Sequence, residues 1–300
     1  MKLLRISASA LALSLLAMLA ACGGGGGGGS TPPTSPGGGG PPPSSSPTSA
    51  PTTKPTSSPT TSPTSAPSGS VAVSSTDYDA YDGPTWGQDN WQTNGVTSSE
   101  AGDGDIKNDV GTGQSTDGLN ACALSSESQM TANNYHVHTF LGIYVNGTAM
   151  AIPDAIGMAN PGSSEPILTF TCAYSIHTHG ASGIIHVEDP TIAGTWQNTQ
   201  PPAQYNLQSL FDIWGQSLNS VAGASGMPTI YVGDYSGKDS AGRDLVNSYS
   251  VYTGSASSLL LKHHRAIFLV YGALPTSTNG NPCPTGSNGC LPQVSFGLSN

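Results

Sequence analysis

Short runs of alternating apolar and polar residues dominate the sequence from about residue 129 onward, and this period-two pattern predicts β-strands. The clearest signal is a hairpin in which Asn146-Gly147 supplies the positive φ angles of a type I′ turn between Ile143–Val145 and Thr148–Ile152. Further short strands are predicted at Pro166–Ile176, Gly183–Val187, Thr229–Val232, Ser257–Lys262 and Ala266–Tyr271. Because strands outnumber helices and no strand–helix–strand alternation occurs, the pattern predicts a mainly β fold, with a single antiparallel β-sandwich or barrel-like domain.

One short helix is predicted within this domain. It follows Asn206, whose side chain can cap the first turn. Behind Asn206, apolar side chains recur at helical spacing and form a single stripe. The stripe consists of Leu207, Leu210, Phe211, Trp214 and Leu218.

Histidines are concentrated on three strand-like segments, where they alternate with apolar residues. They form three doublets: His136 with His138, His177 with His179, and His186 with the carboxylate of Glu188. Residues two apart on a strand point to the same side of a sheet, so each doublet can present two ligands to one point. Apolar neighbours such as Tyr135, Val137, Ile176 and Ile185 take the opposite phase. All three doublets therefore avoid the apolar face of their strands.

Paired imidazoles on a rigid sheet suit a transition-metal site, because neutral imidazole binds copper and zinc well. If the three strands are neighbours, the doublets converge on one side of the sheet, although the sequence does not fix the strand order. Glu188 is expected to act as a ligand or as an orienting partner. The predicted ligands are His136, His138, His177, His179, His186 and Glu188. The alternative is that these are solvent-facing polar residues of alternating strands.

The adjacent pair His263-His264 is a weaker indication of a metal site. Neighbouring residues of a strand point to opposite faces, so at most one of the two can join the site. The pair lies at a predicted turn between Lys262 and Arg265. His264 is the better ligand candidate of the two.

The pattern favours a metal-binding protein for storage, buffering or delivery over an enzyme, and leaves that choice open. Four or more converging ligands would favour binding or structure. Three ligands beside a pocket and an acid such as Glu188 would favour catalysis, with the metal as Lewis acid or redox centre. A structural or adhesion module without metal is a third reading, which predicts that the doublets do not cluster.

The N-terminal residues predict the cellular location of the protein. Lys2 and Arg5 precede an apolar stretch, Leu11–Ala21, which is too short to span a bilayer. Leu19-Ala20-Ala21-Cys22 then resembles the lipobox of bacterial lipoproteins. The resemblance implies a signal peptide at residues 1–21 and acyl chains, palmitate among them, on Cys22. We therefore expect an extracytoplasmic protein anchored to the lipid bilayer of the cell envelope, at the outer membrane if the organism has one.

Composition divides the rest of the chain. Residues 22–70 are rich in Gly, Pro, Ser and Thr, cannot bury apolar area, and are expected to form a disordered linker. Residues 71–128 are expected to be an acidic, loosely ordered lead-in, and residues 129–300 the β-rich domain. Residues 71–300 hold all 18 acidic residues but only five of the eight bases, which argues against a nucleic-acid partner. No protein partner is evident.

Four of the five cysteines lie beyond the linker and fit a disulfide framework in an oxidising compartment. Cys283 and Cys290 enclose a short loop that a disulfide could close. That pairing would leave Cys122 to form a disulfide with Cys172. Three pairings are possible, and the sequence does not choose between them.

Overall fold

A computed structural model describes residues 69–80, 115–116, 119–120, 123–130, 134–159, 161–162, 166–193 and 201–298. The predicted signal peptide, Cys22, nearly all of the linker, most of the acidic lead-in and Cys122 lie outside these residues. Within them, no helix has the length and apolar character needed to cross a membrane.

The described part of the chain is mainly β with a single α-helix, as predicted. The helix, α1, spans Leu207–Trp214. Short 3-10 turns lie at Glu127–Gln129, Val221–Gly223 and Ala256–Ser258. The strands are β1 (Ala72–Asp79), β2 (Ser115–Thr116), β3 (Leu119–Asn120), β4 (Asn134–Val145), β5 (Thr148–Met150), β6 (Met158–Ala159), β7 (Cys172–Ala173), β8 (Ile176–His177), β9 (Ile184–Ala193), β10 (Thr229–Gly233), β11 (Gly237–Lys238), β12 (Arg243–Val246), β13 (Ser250–Tyr252), β14 (Arg265–Tyr271), β15 (Ser277–Thr278), β16 (Asn281–Pro282) and β17 (Cys290–Leu298).

Two sheets pack face to face. The large sheet has the strand order β13-β10-β14-β4-β9-β8, with β5 paired to β4, and the small sheet has the order β1-β17-β12-β11. Buried side chains from both sheets form one shared core, in which Tyr144 and Phe268 of the large sheet join Val294 and Phe296 of the small one. The contact between these inner faces makes the domain a β-sandwich.

Two strand pairs run parallel in an otherwise antiparallel arrangement. β4 pairs with β14 in parallel, and β1 pairs with β17 in parallel. A parallel pair requires a long crossover connection, and the chain between β4 and β14 supplies one that includes α1. Strand β1 therefore belongs to the sandwich, although it falls within the stretch expected to be loosely ordered.

Helix α1 covers the other face of the large sheet. Asn206 caps it by accepting a 3.0 Å hydrogen bond from the backbone N–H of Ser209, and Gly215 ends it in the left-handed conformation. Leu210, Phe211 and Trp214 are fully buried in a second core on that face. The predicted stripe is therefore confirmed as far as Trp214, and Leu218 lies beyond the helix end.

The predicted hairpin is confirmed, because Asn146 and Gly147 both have positive φ between β4 and β5. The long strand predicted at Pro166–Ile176 is wrong, since only the two-residue β7 and the start of β8 form there. The strand predicted at Ser257–Lys262 is also wrong. Its alternation reflects Leu259 and Leu261, which are buried in the core beneath α1, and the segment forms only an isolated antiparallel bridge, between Leu260 and Asn206.

Cys283 and Cys290 form a disulfide that joins the loop before β17 to the first residue of that strand. Cys172 is also disulfide-bonded. Cys122, its candidate partner in the sequence, lies outside the described residues.

Candidate metal centre

The three histidine-bearing strands are neighbours in the large sheet. β9 lies between β4 and β8 and runs antiparallel to both. In this register His186 lies directly opposite His138 on one side and His177 on the other. Glu188, two residues further along β9, lies opposite His136. The order of the strands thus brings together all six residues that the sequence singled out as doublets.

The phase of each strand puts these side chains on one face. Val137, Ile176, Ile185 and Val187 point to the core beneath α1. The alternating positions point to the opposite face, where Phe140 and Ile184 begin the core shared with the small sheet. The histidines therefore occupy the end of the sandwich-facing side of the sheet, next to an aromatic core.

His177 and His179, hereafter the inner pair, are fixed by backbone carbonyls. The Nδ1 of His177 lies 2.8 Å from the carbonyl oxygen of Tyr174, and the Nδ1 of His179 is hydrogen-bonded to the carbonyl oxygen of Ile167. A carbonyl only accepts, so each Nδ1 must carry the proton. The two Nε2 atoms then present lone pairs, and they lie 3.1 Å apart. This arrangement leaves both Nε2 atoms ready to bind a cation.

His136 and His138, hereafter the outer pair, face each other in the same way. Their Nε2 atoms are 2.9 Å apart, and their rings are nearly perpendicular. The side chain of His136 is 33% exposed, whereas that of His177 is completely buried. The outer pair therefore lies on the solvent side of the site, and the inner pair lies in the interior.

His186 stands between the two pairs. Its ring centroid is 4.5 Å from that of His138 and 4.4 Å from that of His179. Its distances to the more remote member of each pair are also matched, 5.7 Å to His136 and 5.6 Å to His177. The site is thus nearly symmetric about His186.

Glu188 supplies the negative charge. Its Oε1 accepts a hydrogen bond from the Nδ1 of His186 at 3.0 Å and lies 2.9 Å from the Nε2 of His136. Its Oε2 is buried, lies 3.7 Å from the Nε2 of His177, and has no hydrogen-bond partner among the described residues. Because Oε1 also lies 3.9 Å from the Nε2 of His179, the carboxylate lies between the two pairs.

Burial keeps the imidazoles neutral. It lowers the pKa of His177 to about 3 and that of His186 to about 4, and it lowers the pKa of His138 well below its usual range. Burial alone would raise the pKa of Glu188, but hydrogen bonds from the imidazoles of His136 and His186 outweigh it and lower that pKa well below its usual range. At neutral pH the imidazoles of His138, His177 and His186 are therefore neutral and the carboxylate is ionised, the protonation state that metal binding requires.

The nitrogen spacings match those of metal ligands. Two nitrogens bound to a tetrahedral ion at about 2.0–2.1 Å lie about 3.3 Å apart, and about 2.9 Å apart when the bond angle is 90°. The Nε2 separations of the inner and outer pairs, 3.1 and 2.9 Å, fall at these values. In the inner pair, whose Nδ1 protons both go to carbonyls, the facing lone pairs repel each other unless a proton or a metal lies between them, and burial disfavours the added proton. The described residues thus contain buried His and Glu groups that could hold a metal ion.

His264 does not join this cluster. Its Nδ1 donates a 2.7 Å hydrogen bond to Asp244, and its ring stacks on those of His263 and Phe296. Its backbone N–H donates to the carbonyl oxygen of His138, so the two groups are neighbours in space. His264, His263 and Asp244 lie close together as a separate group, in which the Nδ1 of His264 is bonded to Asp244. Asp244 could not be predicted, because nothing near it in the sequence links it to a histidine 20 residues later.

No protein-family model, curated protein or solved structure matches this chain.

Proposed function

We propose that the domain binds a transition-metal ion, copper or zinc, through the histidines and Glu188 of the β4, β8 and β9 strands. The observation that carries this proposal is the facing of two Nε2 lone pairs at 3.1 Å in the inner pair, where both Nδ1 protons are committed to carbonyls. Imidazole-rich, sulfur-poor sites favour these two metals. With five histidines and a carboxylate converging, binding for storage, buffering or delivery is favoured over catalysis.

The cellular setting is part of the same proposal. The lipobox-like Leu19-Ala20-Ala21-Cys22 supports a lipid-anchored protein on the extracytoplasmic side of the cell envelope. The Gly- and Pro-rich residues 22–70 would then hold the domain at a distance from the bilayer. Copper and zinc that arrive from outside the cell would meet the domain there.

The test is the metal content of the full chain, purified without a histidine tag and counted by mass spectrometry. We expect near-stoichiometric copper or zinc, lost in the double variant His136→Ala/His177→Ala. His263→Gln, which removes a neighbouring histidine outside the six, should keep the metal. A wild-type chain that holds no metal, and takes up none at micromolar concentration, would overturn the proposal in favour of a surface module.

A metal-dependent enzyme is the second candidate, and one observation favours it. The side chains of His136 and His186 are 33% and 15% exposed, so a small molecule can approach the metal from the outer side. An open coordination position would admit azide, which gives Cu(II) a new charge-transfer absorption band. The copper-loaded protein should show that band if it is an enzyme, and its absence would contradict this candidate.

A further inference from the structure

The six residues offer more ligands than one ion can use in this arrangement. Ligands on opposite sides of a single ion lie about 4.2 Å apart, twice the metal–nitrogen bond length. The ligand atoms of the cluster instead separate into two overlapping groups, each with its atoms within 4.8 Å of one another. One group contains the inner pair with His186 and Glu188, and the other contains the outer pair with His186.

We infer that the cluster holds two metal ions, an inner one bound by His177 and His179 and an outer one bound by His136 and His138, with the Glu188 carboxylate between them. This inference rests on the proposed metal-binding function. It adds the number of ions, their positions, and a difference in their exposure to solvent.

The first argument is the orientation of Glu188. Its Oε1 is 2.9 Å from the Nε2 of His136 in the outer pair, and its Oε2 is 3.7 Å from the Nε2 of His177 in the inner pair. Oε2 is buried and has no hydrogen-bond partner among the described residues. A buried carboxylate oxygen without a partner costs free energy that a cation would offset. A carboxylate that extends one oxygen to each of two ions satisfies both atoms.

The second argument is the symmetry about His186. Its ring lies edge-on to both His138 and His179, with centroid separations of 4.5 and 4.4 Å. His186 is therefore equally close to the two pairs. A single ion at the outer pair would leave the facing Nε2 lone pairs of the inner pair uncompensated. An ion at the inner pair removes that repulsion, and the Nε2 atoms of His136 and His138, 2.9 Å apart, remain available to a second ion.

The third argument concerns access. The inner pair is nearly or fully buried, with side-chain exposures of 0% and 7% for His177 and His179. The outer pair includes His136, which is 33% exposed. Two cations beside one carboxylate repel each other, so the second ion should bind more weakly than the first. The outer ion should therefore be the weaker and more rapidly exchanging of the two, and the place where a water or an anion coordinates.

The experiment counts zinc on the metal-free full chain by equilibrium dialysis and mass spectrometry. We expect two zinc ions per wild-type chain, and one in the double variant His136→Ala/His138→Ala. The matched control His263→Gln should keep two. Circular dichroism in the near ultraviolet checks that each variant retains its packing.

A kinetic measurement on the wild type avoids dependence on a variant that fails to fold. Zinc transfer to an excess of a chromophoric chelator should proceed in two phases of equal amplitude, with the fast phase absent in the outer-pair variant. Saturation of the wild type at one zinc per chain would overturn the inference while leaving the metal-binding function intact. An outer-pair variant that keeps two ions, or loses both with unchanged circular dichroism, would also overturn it. A wild type that binds no zinc or copper would remove the proposed function itself.

Discussion

Two groups of histidines lie next to each other in this domain and behave differently. The members of each doublet in the cluster are two residues apart, whereas His263 and His264 are adjacent. In the inner and outer pairs, a separation of two residues puts both rings on one face, and the two Nε2 atoms lie 3.1 and 2.9 Å apart. The adjacent pair lies at a turn where His264 has a φ of 50°, and its rings stack with centroids 3.5 Å apart.

The histidine cluster and the His263–His264 pair share one property and differ in another. Burial lowers the pKa of His263 to about 3, as it does for His177. A lowered pKa is therefore common to both groups, and its largest cause in both is burial. What separates them is where the Nε2 atoms point, because those of His177 and His179 face each other at 3.1 Å, while the rings of His263 and His264 stack on one another.

Acid should give the largest effect. The pKa values of His177 and His186 are about 3 and 4 in the folded protein, below the ordinary 6.5. Between pH 6.5 and 4 the unfolded chain therefore binds protons that the folded chain does not. The free energy of unfolding of the metal-free protein should fall with falling pH by about 1.4 kcal/mol per pH unit for each such imidazole. Urea unfolding at pH 7, 6 and 5 measures this slope, and a flat profile would count against neutral buried imidazoles.

Glu188→Gln should give the next largest effect, on metal affinity. The substitution keeps the size of the side chain but removes the only carboxylate of the cluster. Loss of a carboxylate that orients ligand histidines typically costs 10–100-fold in affinity, and we expect at least about 10-fold here. Competition with a chromophoric chelator measures the change. The matched variant at the adjacent pair, Asp244→Asn, should leave metal affinity unaltered, and equal losses in both variants would erase the distinction between the two groups.

Asp244→Ala should affect stability rather than metal binding. Asp244 accepts hydrogen bonds from His264 at 2.7 Å and from the Lys238 ammonium. Hydrogen bonds to charged groups contribute about 1.5–3 kcal/mol each when buried, and solvent weakens the one from the half-exposed lysine. We expect unfolding to become easier by about 1.5–3 kcal/mol, measured by urea denaturation, with an unchanged metal count. Loss of metal in this variant would assign Asp244 to the site.

His263→Gln should give the smallest effect. It removes a ring that stacks on His264 and leaves the six cluster residues in place. Stacked aromatic pairs contribute about 0.5–1.5 kcal/mol beyond their buried area, and the midpoint of thermal unfolding should fall accordingly. A larger loss of stability, or any loss of zinc, would show that the adjacent pair supports the cluster directly.

The face of the histidines that lie within strands, His136, His138, His177 and His186, could be predicted from sequence, because strand alternation is a local property. Val137 and Ile185 identify the buried phase, and the histidines beside them follow on the opposite face. The order of the strands could not be predicted. The strand order depends on pairings between distant parts of the chain, such as that of β4 with β14, whose paired residues are more than a hundred positions apart. It also depends on which strand edges remain unpaired once the sandwich closes.

His179 shows a second limit of the pattern. It lies beyond the end of β8, so strand alternation does not place it. The position of His179 depends on Ile167. The carbonyl of Ile167 accepts a hydrogen bond from the ring of His179, and the N–H of Ile167 donates to the backbone carbonyl of His179 at 2.8 Å. Because Ile167 lies in a segment predicted to be a strand and found largely outside one, the residues holding the inner pair were not foreseeable from periodicity.

The closeness of the six residues in the chain has a consequence for the order of assembly. They fall within residues 136–188 and occupy an antiparallel unit of β4, β9 and β8, whereas β14, the other neighbour of β4, begins at Arg265. Contacts between residues near in sequence form early, because closing short loops costs little entropy. A chain that emerges N-terminus first presents its complete set of ligands before β14 exists to pair with β4. A metal ion bound as proposed would therefore act as a folding template, fixing the register of the first strands onto which the rest of the sandwich condenses.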